Sequence, residues 1–286
     1  FLLYNPIINI MIIRKVKTGT RAKALFFLAA AAFTVLLFRT MNPTLTRDSG
    51  SRTVMGTFAR IVVVCDDKKT ASECIEKAFK EIKSVEKKMT IYRTDSKISR
   101  INSKADEGPV EVSSEIFDIL SRSKEFSIQT KGAFDITVGP LIKLFREAER
   151  DQQMPTPAQI KHTREITGYD KLILDSDRKT VKFAAEGMKI DMGGIAKGYA
   201  IDRAMETILK EPVTGAMVDI GGDIRCFGTT QPGRPWRIGV EKPSYPDKPL
   251  KVPEIVMTLS LTDNAVTTSG DYRRFATIKD TRVSHI

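Results

Sequence analysis

Three strand-like stretches follow one another late in the chain with no helical pattern between them: G-A-M-V-D-I-G-G-D-I-R-C-F-G at residues 215–228, W-R-I-G-V-E-K-P at 236–243 and I-V-M-T-L-S-L at 255–261. Strands joined without a helix pair antiparallel, because a parallel pair needs a crossover of a dozen or more residues, usually helical. Upstream, strands and helices mix. M-G-T-F-A-R-I-V-V-V-C reads as a strand, and the folded part begins at Val54. The next stretch steps its apolar residues Cys74, Ile75, Ala78, Phe79, Ile82, Val85 and Met89 by three and four, the stripe of an amphipathic helix. A loop, I-Y-R-T-D-S-K-I-S-R-I-N, follows. A Ser/Glu-capped helix then runs from residue 113 and stops at Lys131-Gly132. Residues 146–161 read as a helical or irregular insert. Y-D-K-L-I-L-D and T-V-K-F-A form a hairpin, and a helix starts near Gly198-Tyr199. This order predicts an α+β fold, a largely antiparallel sheet flanked by helices, and not a doubly wound one.

The net charge of +11 is unevenly spread: residues 1–50 hold seven Lys/Arg and one acid, and so contribute +6. The body is mildly basic and has no Lys/Arg run with interleaved aromatics, which argues against nucleic-acid binding. Residues 24–38 are apolar except for Thr34, and five cations precede them. Basic residues before an apolar run mark an export or anchor signal. Fifteen helical residues span roughly 22 Å, short of the ~30 Å hydrocarbon core. With no A-x-A behind the run, an uncleaved anchor is favoured over a cleaved signal, and a buried core helix is the third alternative. Met11, directly before the basic stretch, is a candidate start. The expected organisation is a basic cytoplasmic N-terminus (1–23), an anchor or signal segment (24–38), a polar linker (39–53) and one domain (54–286) outside the cytoplasm. Three cysteines without C-x-x-C spacing argue against a disulfide framework and against zinc; Cys65 and Cys226 lie in apolar runs and read as core.

Six polar, mostly glycine-bearing stretches fall at element ends: M-G-T (55–57), Y-R-T-D-S (92–96), G-A-F-D (132–135), D-M-G-G-I-A-K-G-Y (191–199), V-D-I-G-G-D (218–223) and T-T-S-G-D-Y-R-R (267–274). Each alone is an ordinary turn or cap. Together they point to a polar pocket built from loops around one sheet. Glycines let backbone N–H groups approach an anion, and a following helix N-terminus adds partial positive charge. Lys197, Arg273 and Arg274 supply full charge, and Asp135 and Asp191 supply acceptors. His162 reads as solvated; His285, in V-S-H-I, is better placed for chemistry.

In this order, with M-T-I-Y-R-T-D-S-K-I-S-R-I-N, G-A-F-D-I-T-V-G-P-L, I-D-M-G-G-I-A-K-G-Y-A-I-D, A-V-T-T-S-G-D-Y and H-I, the motifs resemble those of the ApbE family of FAD:protein FMN transferases over residues 54–286. The resemblance implies an α+β fold that binds FAD as substrate. With Mg²⁺, such proteins move FMN to a threonine or serine hydroxyl of a partner protein and release AMP. The partner is typically a membrane redox-complex subunit, which places this domain on the periplasmic face of the inner membrane. Some members hydrolyse FAD to FMN and AMP instead, and a non-catalytic anchored flavin-binding protein is the alternative from another class. Carried over by position, Met55, Tyr92, Ala133, Phe134, Asp135, Asp191, Lys197 and Ile286 match FAD contacts. Gly194 matches a metal ligand, offered here through its carbonyl, and His285 a proton-transfer residue. The family continues past this His-Ile into a D-P-x-T-G turn and a further Asp and Thr that complete the metal site. The resemblance therefore implies that the sequence is a fragment.

Overall fold

The computed structural model describes residues 44–243, 252, 254–270 and 275–284. In chain order the elements begin β1 (Leu45–Asp48), β2 (Arg52–Val54), β3 (Thr57–Cys65), α1 (Lys68–Met89), α2 (Lys97–Lys104), β4 (Val110–Glu111), α3 (Ser114–Gln129), α4 (Gly139–Asp151) and α5 (Pro157–Glu165). A 3-10 turn (Tyr169–Lys171) leads to β5 (Leu172–Asp175), β6 (Thr180–Phe183), α6 (Ala196–Ile208), β7 (Gly215–Ile220), β8 (Asp223–Gly228), β9 (Trp236–Glu241), β10 (Ile255–Leu261), β11 (Ala265–Val266), β12 (Phe275–Ile278) and β13 (Thr281–Ser284).

The central sheet has the order β1-β3-β7-β8-β11, with β2 also on β3, and every pair is antiparallel. The fold is thus α+β, as the run of adjacent strands predicts. One face of β3 and β7 (Ala59, Ile61, Val63, Ala216, Val218, Ile220) is buried beneath α1 and α6. The predicted stripe of α1 is the buried one, at Cys74, Ile75, Ala78, Phe79, Ile82, Val85 and Met89. Burying each large side chain is worth about 1.5–3 kcal/mol. Asp67 caps the helix by accepting from Thr70 N at 2.6 Å, and Lys87 and Lys88 complement the dipole at its other end. The opposite face holds a smaller cluster of Val62, Val64, Met217, Cys226 and Trp236, whose indole donates to the Phe227 carbonyl at 3.0 Å. All three cysteines are buried free thiols.

Two tight reversals sit side by side at one end of this sheet. Val54 pairs with Thr57 across Met55-Gly56 (φ 50° and 69°), and Ile220 pairs with Asp223 across Gly221-Gly222 (φ 64° and 91°). Both are two-residue loops with positive φ at each central residue, whose twist matches that of the flanking strands. Gly221 N donates to the Phe58 carbonyl at 2.9 Å, and a Cβ on Gly221 would stand 2.8 Å from Thr57 Oγ1. The first reversal is tied to α1: Arg52 grips Glu76 at 2.6 and 3.1 Å and lies 4.3 Å over the Phe79 ring, while Met55 N donates to Glu86 Oε1 at 2.8 Å.

Four expectations need correction. Residues 45–48, expected within the linker, form β1. It is polar because it is an edge strand exposed at all four residues, held by ladder bonds to β3 and by the Asp48–Arg60 pair. The stretch 91–102, read as a loop, contains α2, a helix of only eight residues. Its N-cap Ser96 is buried, and Ile98 and Ile101 are its buried apolar residues. The stretch 215–228, read as one strand, is the hairpin β7–β8. The insert starts earlier than expected, since α4 already begins at Gly139-Pro140. Among the described residues no helix is long and apolar enough to cross a membrane; the expected anchor at 24–38 lies outside the described residues.

Candidate functional site

The loop at 189–194 lies between two walls. On one side is the segment that follows α3. Helix α3 ends in two left-handed residues, Lys131 (φ 53°) and Gly132 (φ 82°), and Gly132 N donates to the Ser127 carbonyl at 2.8 Å. That reversal throws Ala133 and Phe134 outward, and Thr130 Oγ1 accepts from Phe134 N at 3.1 Å. The chain then runs alongside the loop: Asp191 N donates to the Ile136 carbonyl at 2.7 Å, and Val138 bridges Lys189 in parallel. Gly139 permits the approach, because a Cβ there would lie 2.8 Å from the Lys189 carbonyl oxygen.

Phe134 meets Gly194 directly. A Cβ on Gly194 would be 3.1 Å from the Phe134 ring edge, and the ring is further fixed edge-on to Phe126 at a centroid distance of 6.4 Å. Asp191 is half-buried, and its Oδ1 accepts from Gly193 N at 2.7 Å, an Asx turn that aims the glycine pair. It is not the cap of α6: the N-cap is Ile195, with no side-chain bond. The first turn of α6 thus leaves its backbone donors without a side-chain cap and carries Lys197. Lys197 pairs with Asp223 of the second reversal, and Thr267 Oγ1 donates to the same carboxylate. Asp219, two residues before that reversal, has its carboxyl pushed up by burial, held partly down by the Gly222 N–H at 2.9 Å, and pushed up again by Asp223.

The remaining predicted residues fall as follows. Met55 occupies the first reversal. Tyr92 is 79% exposed ahead of α2, with the Arg146 guanidinium of α4 5.5 Å from its ring. Ala133 is exposed beside Phe134. Both Asp135 oxygens are engaged within the protein: Oδ1 accepts from Thr137 N and Oγ1 at 2.8 and 2.7 Å, and Oδ2 from Tyr169 N at 2.9 Å. Asp135 thereby fixes the loop it belongs to. His285, Ile286, Arg273 and Arg274 lie outside the described residues. His162 is exposed on α5. Phe134, Asp191, Gly194, Lys197 and the Gly221-Gly222 reversal are thus linked by contacts running from one wall of the loop to the sheet end.

Two residues that position the loop are not evident from the sequence. Asp223, seen only as part of a glycine turn, holds Lys197. Asn102, at the end of a stretch read as loop, has its side-chain amide on Ile190. A helical reading of K-I-S-R-I-N-S-K, with Ile98 and Ile101 inward, would have placed Asn102 beside them. Among the described residues no three His, Cys, Asp or Glu side chains gather as a metal-binding group. No such group stands at Gly194 among the described residues.

The model of the ApbE family matches residues 55–286. A protein of Haemophilus influenzae named FAD:protein FMN transferase is 32% identical over 240 residues, 81% of this chain and 68% of that one. Its namesake in Vibrio cholerae is 33% identical over 222 residues, 77% of this chain and 64% of that one. The chain thus spans about two thirds of the length of these relatives. Among solved structures, an ApbE protein of Thermotoga maritima superposes with a TM-score of 0.73 at 30% identity, covering 85% of this chain and 75% of its own. The flavin transferase ApbE of Vibrio cholerae superposes with 0.67 at 30% identity, covering 81% and 74%.

Proposed function

Because this chain belongs to the ApbE family, we propose that it transfers FMN from FAD to a threonine or serine hydroxyl of a partner protein and releases AMP. The observation that carries this reading is the contact of Phe134 with Gly194 beside Asp191 and the uncapped first turn of α6. An aromatic ring beside a helix N-terminus that no side chain caps suits a molecule with a flat ring system at one end and a pyrophosphate in the middle.

In the proposed reaction the acceptor oxygen attacks the FMN phosphorus in line. A phosphorus–oxygen bond to the partner forms, the bond to the bridging oxygen breaks, and AMP departs with that oxygen. The proton from the hydroxyl passes to a base, for which His285 is the candidate. Lys197, paired with Asp223, faces the developing negative charge, and Asp191 holds Gly193 in the orientation the phosphates require. Mg²⁺ belongs to the proposal through the Gly194 carbonyl; when bound, it would neutralise pyrophosphate charge. Met55, Tyr92, Ala133 and Ile286 are proposed to complete the flavin and adenine contacts.

The acceptor is proposed to be a subunit of a membrane redox complex, with residues 24–38 anchoring the domain to the inner membrane on its outer side. Five cations before an apolar run support that orientation. A reporter that works only in the cytoplasm, fused after residue 60, should stay silent; a bright signal overturns the topology. For the chemistry, the full-length protein is incubated with FAD, Mg²⁺ and an acceptor domain and followed by mass spectrometry. An FMN adduct on the acceptor with equimolar AMP is expected. AMP and free FMN without an adduct would make it a pyrophosphatase, and unchanged FAD would leave only flavin binding.

A further inference from the structure

We infer that Asn102 is a positioning residue for the flavin-binding loop, coupling helix α2 to the Asp191 segment. This rests on the flavin-transfer reading of the site. The Asn102 amide meets the backbone of Ile190 at both ends: Nδ2 donates to the Ile190 carbonyl at 2.8 Å, and Oδ1 accepts from Ile190 N at 2.8 Å. A side-chain amide can do this because it carries a donor and an acceptor side by side, as a neighbouring strand would. The tie is reciprocal. Lys189 Nζ donates to the Asn102 carbonyl, one of the last carbonyls of α2, which the helix itself leaves without a partner.

The clamp sits at a consequential place. Ile190 is the residue before Asp191, whose own N–H is bonded to Ile136 on the far side. Three residues, 189–191, are therefore held from both sides immediately before the Asx turn at Gly193-Gly194. On its other end α2 is capped by buried Ser96, which accepts from Ser99 N at 2.9 Å, and the loop before that cap carries Tyr92. One short helix thus sets the separation between two candidate flavin contacts. Its packing through Ile98 and Ile101 fixes it to the core, and Asn102 passes that fixity to the loop. An apolar residue at 102 would leave the Ile190 N–H and carbonyl unpaired, and the loop tied to α2 only through the Lys189 ammonium.

The test compares Asn102→Ala and Asn102→Asp with Ile119→Val, a core change on another helix, α3, that makes no bond to the loop, in the full-length protein. FAD binding is titrated by flavin fluorescence, and backbone exchange is followed by mass spectrometry. Both Asn102 variants should bind FAD about tenfold more weakly, and exchange should quicken in the peptide spanning 187–195 while that of α6 beyond residue 200 stays native. Asn102→Asp keeps the acceptor but sets a carboxylate against the Ile190 carbonyl, so it should be no better than alanine. Ile119→Val should lower the melting temperature yet leave FAD affinity native. Native FAD affinity in Asn102→Ala, or an equal loss in Ile119→Val, overturns the inference. If the unaltered protein takes up no FAD, the flavin reading fails by itself. The exchange arm then decides the clamp: unchanged exchange at 187–195 would refute it.

Discussion

Gly139→Ala tests whether the close passage of two backbones holds the site together. The added Cβ would lie 2.8 Å from the Lys189 carbonyl oxygen and 3.0 Å from its carbon, where Cβ atoms in proteins essentially never come below 3.0 Å. Neither strand of this contact is free to give. Val138 bridges Lys189, Asp191 N is bonded to Ile136, and Asn102 grips Ile190 from behind. Overpacking against fixed neighbours costs about 1–3 kcal/mol. Alanine recovers a fraction of the ~1 kcal/mol it gains over glycine within a helix, because residue 139 opens α4. A net loss near 2 kcal/mol lowers the melting temperature of a domain this size by roughly 4–8 °C. Relief of the contact should also part the two walls and weaken FAD binding. The companion is Gly198→Ala, in the first turn of α6, where no heavy atom lies within 4 Å of the new Cβ. That variant should be stabilised by about 0.5–1 kcal/mol. Differential scanning calorimetry with and without FAD measures both. If Gly139→Ala melts within about 1 °C of the native protein and keeps its FAD-induced shift, the two segments are not held as described.

Asp191→Ala should weaken FAD binding by roughly 1–3 kcal/mol; a variant that melts lower but keeps the full FAD-induced shift would show that Asp191 only shapes the turn. Asp219→Asn should raise the melting temperature at pH 7. A carboxyl whose folded pKa is raised contributes stability below its unfolded value, about 4, and loses it as pH rises through the folded value. The gain should therefore vanish in melts run below about pH 4, and a pH-independent gain would contradict the cause. Asp48→Asn should do the opposite, because Arg60 holds that carboxyl below its ordinary range at 3.0–3.1 Å. Its contribution is present above about pH 4 and lost as pH falls. The pair is half exposed, so the loss at pH 7 should stay within about 1 kcal/mol, and a larger one would mean β1 does more than edge the sheet.

The sequence reveals α1 almost residue for residue, because twenty-two residues give a helical period room to repeat and its outer face is uniformly charged. The hairpin β5–β6 is equally legible, from apolar runs around Ser176, Asp177 and Arg178. Helix α2 is obscure because eight residues hold only two inward apolar side chains, and the polar Tyr92–Ser96 stretch before it imitates a loop. Strand β1 is obscure for a different reason: ladder bonds to β3 use backbone groups that every residue owns, so L-T-R-D carries no burial pattern. The glycine pair 221–222 was legible as a special backbone position, but its role as a hairpin turn needed both flanks to be read as separate strands. At the site, Asp191, Gly194 and Phe134 stand out as residue types. Their mutual arrangement depends on contacts across large sequence separations, such as Asp135 with Tyr169 and Asn102 with Ile190. No local pattern encodes those.

The buried thiols bear on how the molecule meets oxidants. Burial pushes Cys74 and Cys226 up to about 11, so the thiolate is scarce at both near neutral pH. Because the thiolate is the species that oxidants and disulfides attack, the folded domain is nearly inert to them at these positions. The vulnerable interval is the time before β3, α1 and β8 close over their sulfurs. Under oxidising conditions, maturation of the domain becomes a race between burial of these sulfurs and their oxidation.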